Sequence, residues 1–424
     1  MNRKKKIQPQ KAKAFSNSFY QEKLSIVNLP HNIMPLMNTY SRFNLSFQKG
    51  EGVYLFDENN NKYLDLMSGI GVNSLGYQHP KILEAFNTAL QKPTHLSNLY
   101  EIPQQNKLAK TLIKDSPFDK FFFCNSGTEA NEGAIKLVRK FYNTQNNLEK
   151  NIIVSFNHSF HGRTMGSLTI TGKESIKTGF TPLIGNTKIL NWNDSEELET
   201  YIKNNHAKIA GIFMEPIQGE GGINLPNKNF IQTIKNIHKK YDILLVIDEV
   251  QTGIGRTGKK YAFEHFDISP DIITLAKGMG GGVPIGAIGA TEKVAKAFTP
   301  STHGTTFGGN PLVCEVANAV CEEVLKNNFL ENVKNIGDFF TQKIENLVQK
   351  FPQILLEKKG LGLMIGIEIN SIENRNFLMI ELMKNKFLVL PSGDKTLRFL
   401  PPLIITEKET EEFWNIFQNI LTNI

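Results

Sequence analysis

From residue 38 onward, short apolar runs alternate with stretches of helical period. Runs at 119–123, 151–155, 209–214, 243–247, 271–275 and 285–289 predict buried strands. Between them, 128–142, 195–204 and 228–240 repeat apolar residues every three or four positions and predict helices. That alternation predicts a mainly parallel α/β sheet. Earlier, Gly52–Asp57 and Lys62–Asp65 predict two short strands joined by the turn Glu58–Asn61. Residues 311–350 predict one long amphipathic helix, and a mixed α/β segment follows.

Polar or glycine-rich clusters fall just after the predicted strands. They are Asn125–Thr128, Ser159–Arg163, Glu215–Gly222, Asp248–Gln251 and Ala276–Gly278. Ligands of open parallel sheets bind outside the carboxyl ends of the strands, so the five clusters predict one shared site.

Composition changes this picture little. A chain of 424 residues with 40% hydrophobic and 21% charged residues is that of an ordinary folded protein of two or three domains. No apolar run approaches the roughly 20 residues of a membrane-spanning helix, and no membrane partner is expected. The net charge of +7 is local. Residues 1–50 hold nine Lys/Arg and one acid, a balance of +8, which leaves the remaining 374 residues at −1. A nucleic-acid binder carries its basic footprint on a folded face, so no nucleic-acid partner is expected either. Cys124, Cys314 and Cys321 form no CxxC pair, which excludes a disulfide framework and predicts no metal site. Residues 1–21 contain six basic residues, several Ser, Gln and Asn, and no acid. That is the composition of a transit peptide, although lysine dominates over arginine. A solvated basic tail is the alternative.

Two motif matches fail on context. Gly253, Gly255 and Gly258 fit the dinucleotide fingerprint, but Asp248–Thr252 separate them from the strand and no helix opens after them. Gly253 to Lys260 also resembles a P-loop, with Lys260 in place of the hydroxyl that holds magnesium.

Another set of residues carries chemistry. Asp248 ends the run Ile243–Ile247, where a lone charge is costly without a cationic partner. Lys277 follows the next strand, 29 residues on, among small neighbours. Ser126-Gly127-Thr128 opens the helix at 128, and helix N-termini bind phosphate. Alone, each reads as a surface lysine or a plain N-cap. Together they match what pyridoxal phosphate requires: a lysine to bond, a carboxylate for the ring nitrogen and a phosphate cradle. A carboxylate about 4 Å from a cationic ring nitrogen, at an effective dielectric near 20, is worth about 4 kcal/mol.

Four segments in order, Ser126–Glu132, Asp248–Gly258, Ala276–Gly278 and His303–Pro311, resemble the class III aminotransferases from about residue 38 to the C-terminus. The resemblance implies a pyridoxal-phosphate-dependent transferase of fold type I: a large domain with a mainly parallel seven-stranded sheet plus a smaller α/β domain. It divides the chain into a basic extension (1–37), an N-terminal part of the small domain (38–75), the large domain (76–329) and a C-terminal small domain (330–424). It also implies that Lys277 bonds the cofactor and Asp248 faces the ring nitrogen. Phe160 and Val250 would sandwich the ring, Gln251 would approach its hydroxyl, and Ser126, Gly127 and Thr128 would hold the phosphate. Thr306 would reach that phosphate from a second subunit, making the active unit a homodimer.

For substrates, the resemblance places Arg163 and Thr305 at the α-carboxylate of N-acetylornithine, Arg398 at a carboxylate of glutamate or 2-oxoglutarate, and Glu220 as the partner of Arg398 when no such carboxylate is bound. Ornithine aminotransferases carry a tyrosine in the segment matching Ser68–Asn73, where this chain has glycine at 69, and usually Trp where it has His161. Both departures favour an N-acylated substrate, with N-succinylornithine, free ornithine or another ω-amino acid as alternatives. RNA or partner binding through the tail is the non-enzymatic alternative. The extension implies the mitochondrial matrix, with the cytoplasm as alternative.

Overall fold

The computed structural model describes residues 35–424; the basic segment at 1–34, the bulk of the expected targeting extension, lies outside them. Three short strands come first: β1 (Phe47–Glu51), β2 (Tyr54–Asp57) and β3 (Lys62–Asp65). The β2–β3 turn closes on Asp57, whose carboxylate accepts from the backbone N–H of Asn59 at 3.0 Å and Asn61 at 2.7 Å. Asn60 sits in the left-handed region at φ 60°, which asparagine tolerates.

The central sheet contains β4 (Lys120–Cys124), β5 (Ile152–Phe156), β6 (Thr187–Leu190), β7 (Ile209–Met214), β8 (Leu244–Asp248), β9 (Ile272–Leu275) and β10 (Gly286–Ala290). Its seven strands run in the order β4-β10-β9-β8-β7-β5-β6. Only β10 opposes the others, pairing antiparallel with both β4 and β9. The remaining six strands therefore end on one edge of the sheet. β7, β8 and β9 are buried at every position, as expected of strands covered on both faces. Six expected strands lie within one residue of their predicted positions. β6 was not expected: it is an edge strand whose Thr187 and Lys188 stay at least partly exposed.

The helices Gly127–Asn143, Ser195–Asn205 and Lys228–Lys240 match the periodic stretches. The expected single helix at 311–350 is two, Pro311–Val324 and Asn327–Lys350. Lys326 turns to an extended ψ of 138° between them. Apolar residues keep a helical period across the break, so the pattern does not reveal it.

The chain ends with β11 (Leu355–Leu361), β12 (Met364–Ile369), β13 (Phe387–Leu388), β14 (Leu390–Ser392) and β15 (Thr396–Phe399). β11, β12, β15 and β14 form an antiparallel sheet. β13 pairs in parallel with β3, joining the two ends of the described chain.

Candidate active site

All five polar clusters converge on one cavity of ≈ 440 Å³ at the carboxyl edge of the sheet. Its wall includes Ser126, Gly127, Thr128, Phe160, Arg163, Glu220, Asp248, Val250, Gln251 and Lys277. The structure thus brings together ten of the thirteen expected site residues. Arg398 is bonded behind two of them, and Thr305 and Thr306 stand apart.

Asp248 is 3% exposed at the end of β8. Its Oδ2 accepts from Asn131 Nδ2 at 2.7 Å and lies 2.8 Å from His161 Nδ1, while Oδ1 accepts from the Val250 N–H at 3.0 Å. Three donors fix the carboxylate and satisfy a charge that burial would otherwise penalise. Asn131 is itself held, donating to the His161 carbonyl at 2.7 Å and accepting from Thr274 Oγ1 at 2.9 Å.

Lys277 follows β9 at φ 42°, left-handed for a residue with a side chain. Such a conformation costs about 1–2 kcal/mol and is most often found at functional sites. Neighbouring Gly278 is pinned by Ser74, whose Oγ donates to its carbonyl at 3.1 Å. A Cβ on Gly278 would lie 2.7 Å from that oxygen, so glycine is required for the contact. Burial pushes the Lys277 ammonium below its ordinary range, with nearby Arg398 adding and Glu220, Asp248 and Glu215 opposing.

Ser126 caps the helix Gly127–Asn143 by accepting from the Glu129 N–H at 3.3 Å. Gly127 packs against Val250: a Cβ there would sit 2.7 Å from Val250 Cγ1. Thr128 Oγ1 accepts from the N–H groups of Arg163 at 3.1 Å and Thr164 at 3.2 Å, and so ties the helix start to the Phe160 loop. The exposed Arg163 guanidinium lies 5.7 Å from the Phe160 ring centre.

Arg398, on β15, is 2% exposed. Its Nη1 donates to Glu220 Oε1 at 2.6 Å, Gly219 O at 2.8 Å and Gln251 Oε1 at 3.1 Å. Burial raises the Glu220 carboxyl, but the Arg398 guanidinium more than offsets this and leaves it below its ordinary range. Gln251 lies on the cavity wall and joins the ion pair of Arg398 and Glu220 through its amide.

Thr305 accepts from Asn125 Nδ2 at 3.4 Å, and Thr306 is exposed beside Phe307. Gly69 is not on the wall either. It lies at φ 63° in a left-handed turn, and Val72 faces the cavity instead. Glycine at 69 therefore meets a backbone requirement as well.

Asn131 and Glu215 had no sequence-derived role, and His161 only one in substrate choice. Glu215 is buried at the start of the loop after β7, and burial pushes its carboxyl up to about 7. Burial lowers His161, but the Asp248 hydrogen bond and charge more than offset it, so it lies above its ordinary range. Polar residues on otherwise apolar buried faces are the one signal that could have marked them.

Comparison with known proteins agrees with this geometry. The family model described as aminotransferase class-III matches residues 37–421. An acetylornithine aminotransferase of Aquifex aeolicus is 46% identical over 91% of this chain and 99% of its own. The crystal structure of N-acetylornithine aminotransferase from Stenotrophomonas maltophilia superposes with a TM-score of 0.79 at 31% identity, covering 91% of this chain and 97% of the other. That of ornithine aminotransferase from Toxoplasma gondii gives 0.88 at 27% identity, over 96% and 98%.

Proposed function

This chain belongs to the class-III aminotransferases, and from that premise we propose that it transfers the δ-amino group of N-acetylornithine to 2-oxoglutarate with pyridoxal phosphate as cofactor. The products are N-acetylglutamate 5-semialdehyde and glutamate, a step of arginine biosynthesis. The observation that carries this reading is one cavity walled by Asp248 and Lys277 and backed by a buried arginine paired to Glu220. The identity to acetylornithine aminotransferases supports the acyl substrate.

The residues present fit the cofactor. Gly127 and Val250 meet too closely for any side chain on 127, which leaves a flat apolar wall beside a helix N-terminus with free N–H groups. Asp248 would hold the ring nitrogen, Phe160 the opposite ring face, and Ser126, Gly127 and Thr128 the phosphate. When bound, pyridoxal phosphate supplies an electron sink for the carbon that carries the amine.

The chain's own groups supply the rest. Lys277, its ammonium lowered from the ordinary range by burial, is the group on the wall placed to take and return the proton of that carbon. Arg163, at the cavity mouth, binds the α-carboxylate beside the acetamido group; Thr305, which stands apart from the cavity within one chain, would join it from a second copy. Arg398 binds a carboxylate of 2-oxoglutarate, and Glu220 neutralises it during the other half of the cycle, so that no buried charge is stranded. Arg398→Lys keeps the charge and loses the planar fork. It is expected to raise the KM for 2-oxoglutarate about 10- to 100-fold and leave the half-reaction with N-acetylornithine nearly unchanged. Equal losses in both half-reactions, followed by stopped-flow absorbance, would contradict the assignment.

A second copy of the chain completes the site in this reading. Leu99 is 90% exposed, Tyr100 70% and Phe307 62%. Asn98 bonds the carbonyls of Thr305 and Gly308, so the two exposed segments lie together. A homodimer that buries this patch would carry Thr306 to the partner's phosphate. Phe307→Asp is expected to convert dimer to monomer in sedimentation and to weaken cofactor retention; a monomeric parent protein would dispose of the shared site.

The family match starts at residue 37 and leaves the basic extension outside it. That supports a matrix-import role for the extension, which import of a fusion carrying residues 1–35 would test; a uniformly cytosolic signal would favour the cytoplasm.

A further inference from the structure

Glu215 is buried and has no assigned part in binding or chemistry. Its two carboxylate oxygens accept from two loops: Oε2 from the Phe160 N–H at 3.0 Å and Oε1 from the Gly219 N–H at 3.0 Å. Phe160 lies in the loop after β5 and Gly219 in the loop after β7. From Gly219 the connection continues, because its carbonyl accepts from Arg398 Nη1 at 2.8 Å and Ser392 Oγ at 2.7 Å. Gly219 also packs on Gln251; a Cβ there would meet Gln251 Oε1 at 2.4 Å. A continuous line of hydrogen bonds thus runs from the ring-facing Phe160, through Glu215 and Gly219, to the anion-binding Arg398.

We propose that Glu215 is a positioning residue that sets the two halves of the cavity together, fixing Phe160 for the cofactor ring and Gly219–Arg398 for the dicarboxylate with one carboxylate. The inference rests on the functional reading above, because the identity of the two halves comes from it.

The carboxylate also gives the clasp a proton dependence. Burial pushes Glu215 up to about 7, with His161 opposing and Asp248 adding. Asp248 faces it from the end of β8, His161 from the loop after β5, and Lys277 from the loop after β9. An ionised Glu215 accepts both N–H groups more strongly than a protonated one. A cationic ring entering beside Asp248 favours the ionised form, so binding below about pH 7 releases a proton, and affinity rises with pH. For folding alone the sign is reversed. The raised carboxyl contributes stability that is complete below its ordinary range near 4.5 and is lost as pH rises through about 7.

The test uses the full-length protein and Glu215→Gln, which keeps the volume but turns an NH₂ toward one of the two donors. Dissociation constants for pyridoxal phosphate, and for glutarate on the cofactor-loaded protein, are measured between pH 6 and 8. In wild type both are expected to fall together as pH rises. In the variant both should be about tenfold weaker at pH 8 and lack the part of the pH dependence not carried by the ligands themselves. A variant that loses cofactor affinity alone, or neither affinity, would overturn the proposal. So would wild-type constants with the same pH profile as the variant's, and comparing the two profiles needs only that the variant folds. Should Glu215→Gln fail to fold, flat wild-type profiles would overturn it on their own. A wild type that takes up no pyridoxal phosphate defeats the functional reading itself, a result distinct from all of these.

Discussion

Lys277→Ala is expected to stop turnover, with a loss of about 10⁴-fold or more, while the protein keeps its fold. The expectation comes from where the ammonium sits. It lines the cavity opposite the Asp248 carboxylate and lies below its ordinary pKa range through burial. Alanine can neither bond the cofactor nor move a proton, and no second lysine is among the wall residues to replace it. The fold should survive because the loop is held by Ser74 to the Gly278 backbone, a contact that does not involve the lysine side chain. The checks are steady-state turnover and the visible absorbance of the cofactor-loaded protein, which should disappear with the lysine. Activity within a hundredfold of wild type would remove Lys277 from its role.

Asp248→Asn should be the next most damaging change, about 10³-fold in turnover. That corresponds to the roughly 4 kcal/mol of a carboxylate opposed to a cationic ring nitrogen at about 4 Å. The amide adds a second defect. Both Asp248 oxygens already accept N–H donors, from Asn131, from Val250 and, at 2.8 Å, from the His161 ring. An NH₂ in either position turns hydrogens toward donors and leaves at least one of them unsatisfied in a buried place, worth about 1–3 kcal/mol. Cofactor affinity and turnover should therefore fall together, with thermal stability lowered as well. Turnover within tenfold of wild type would mean that the ring nitrogen is not held by this residue.

The sheet and most of the site were readable because their signals are local. β7 and β8 are unbroken apolar runs, buried at every position, and cannot be mistaken for surface. β1, by contrast, is Phe-Gln-Lys-Gly-Glu, without alternation, and rests on its pairing with β2 and the packing of Phe47 on Tyr63, both made by residues later in the chain. β6 gave a weak signal for a related reason, since an edge strand can leave Lys188 in solvent. In the site, the glycine and polar clusters announced themselves by falling after strands. Asn131 did not, because its importance lies in a contact with Asp248 made across 117 residues of sequence. Gln251 shows the opposite limit. Its place beside Asp248 in the chain was plain, but the direction of its amide is set by Arg398 on β15 and Glu220 in the loop after β7.

The central claim is that the cavity between Asp248 and Lys277 binds pyridoxal phosphate and uses N-acetylornithine as amino donor. Absorbance of the cofactor-loaded protein, before and after N-acetylornithine is added without a keto acid, tests it most directly. The account predicts a visible band that is lost on addition, faster than with free ornithine, and restored by 2-oxoglutarate. A band unmoved by N-acetylornithine but discharged by ornithine would contradict the substrate. No band at all, with pyridoxal phosphate supplied, would contradict the site.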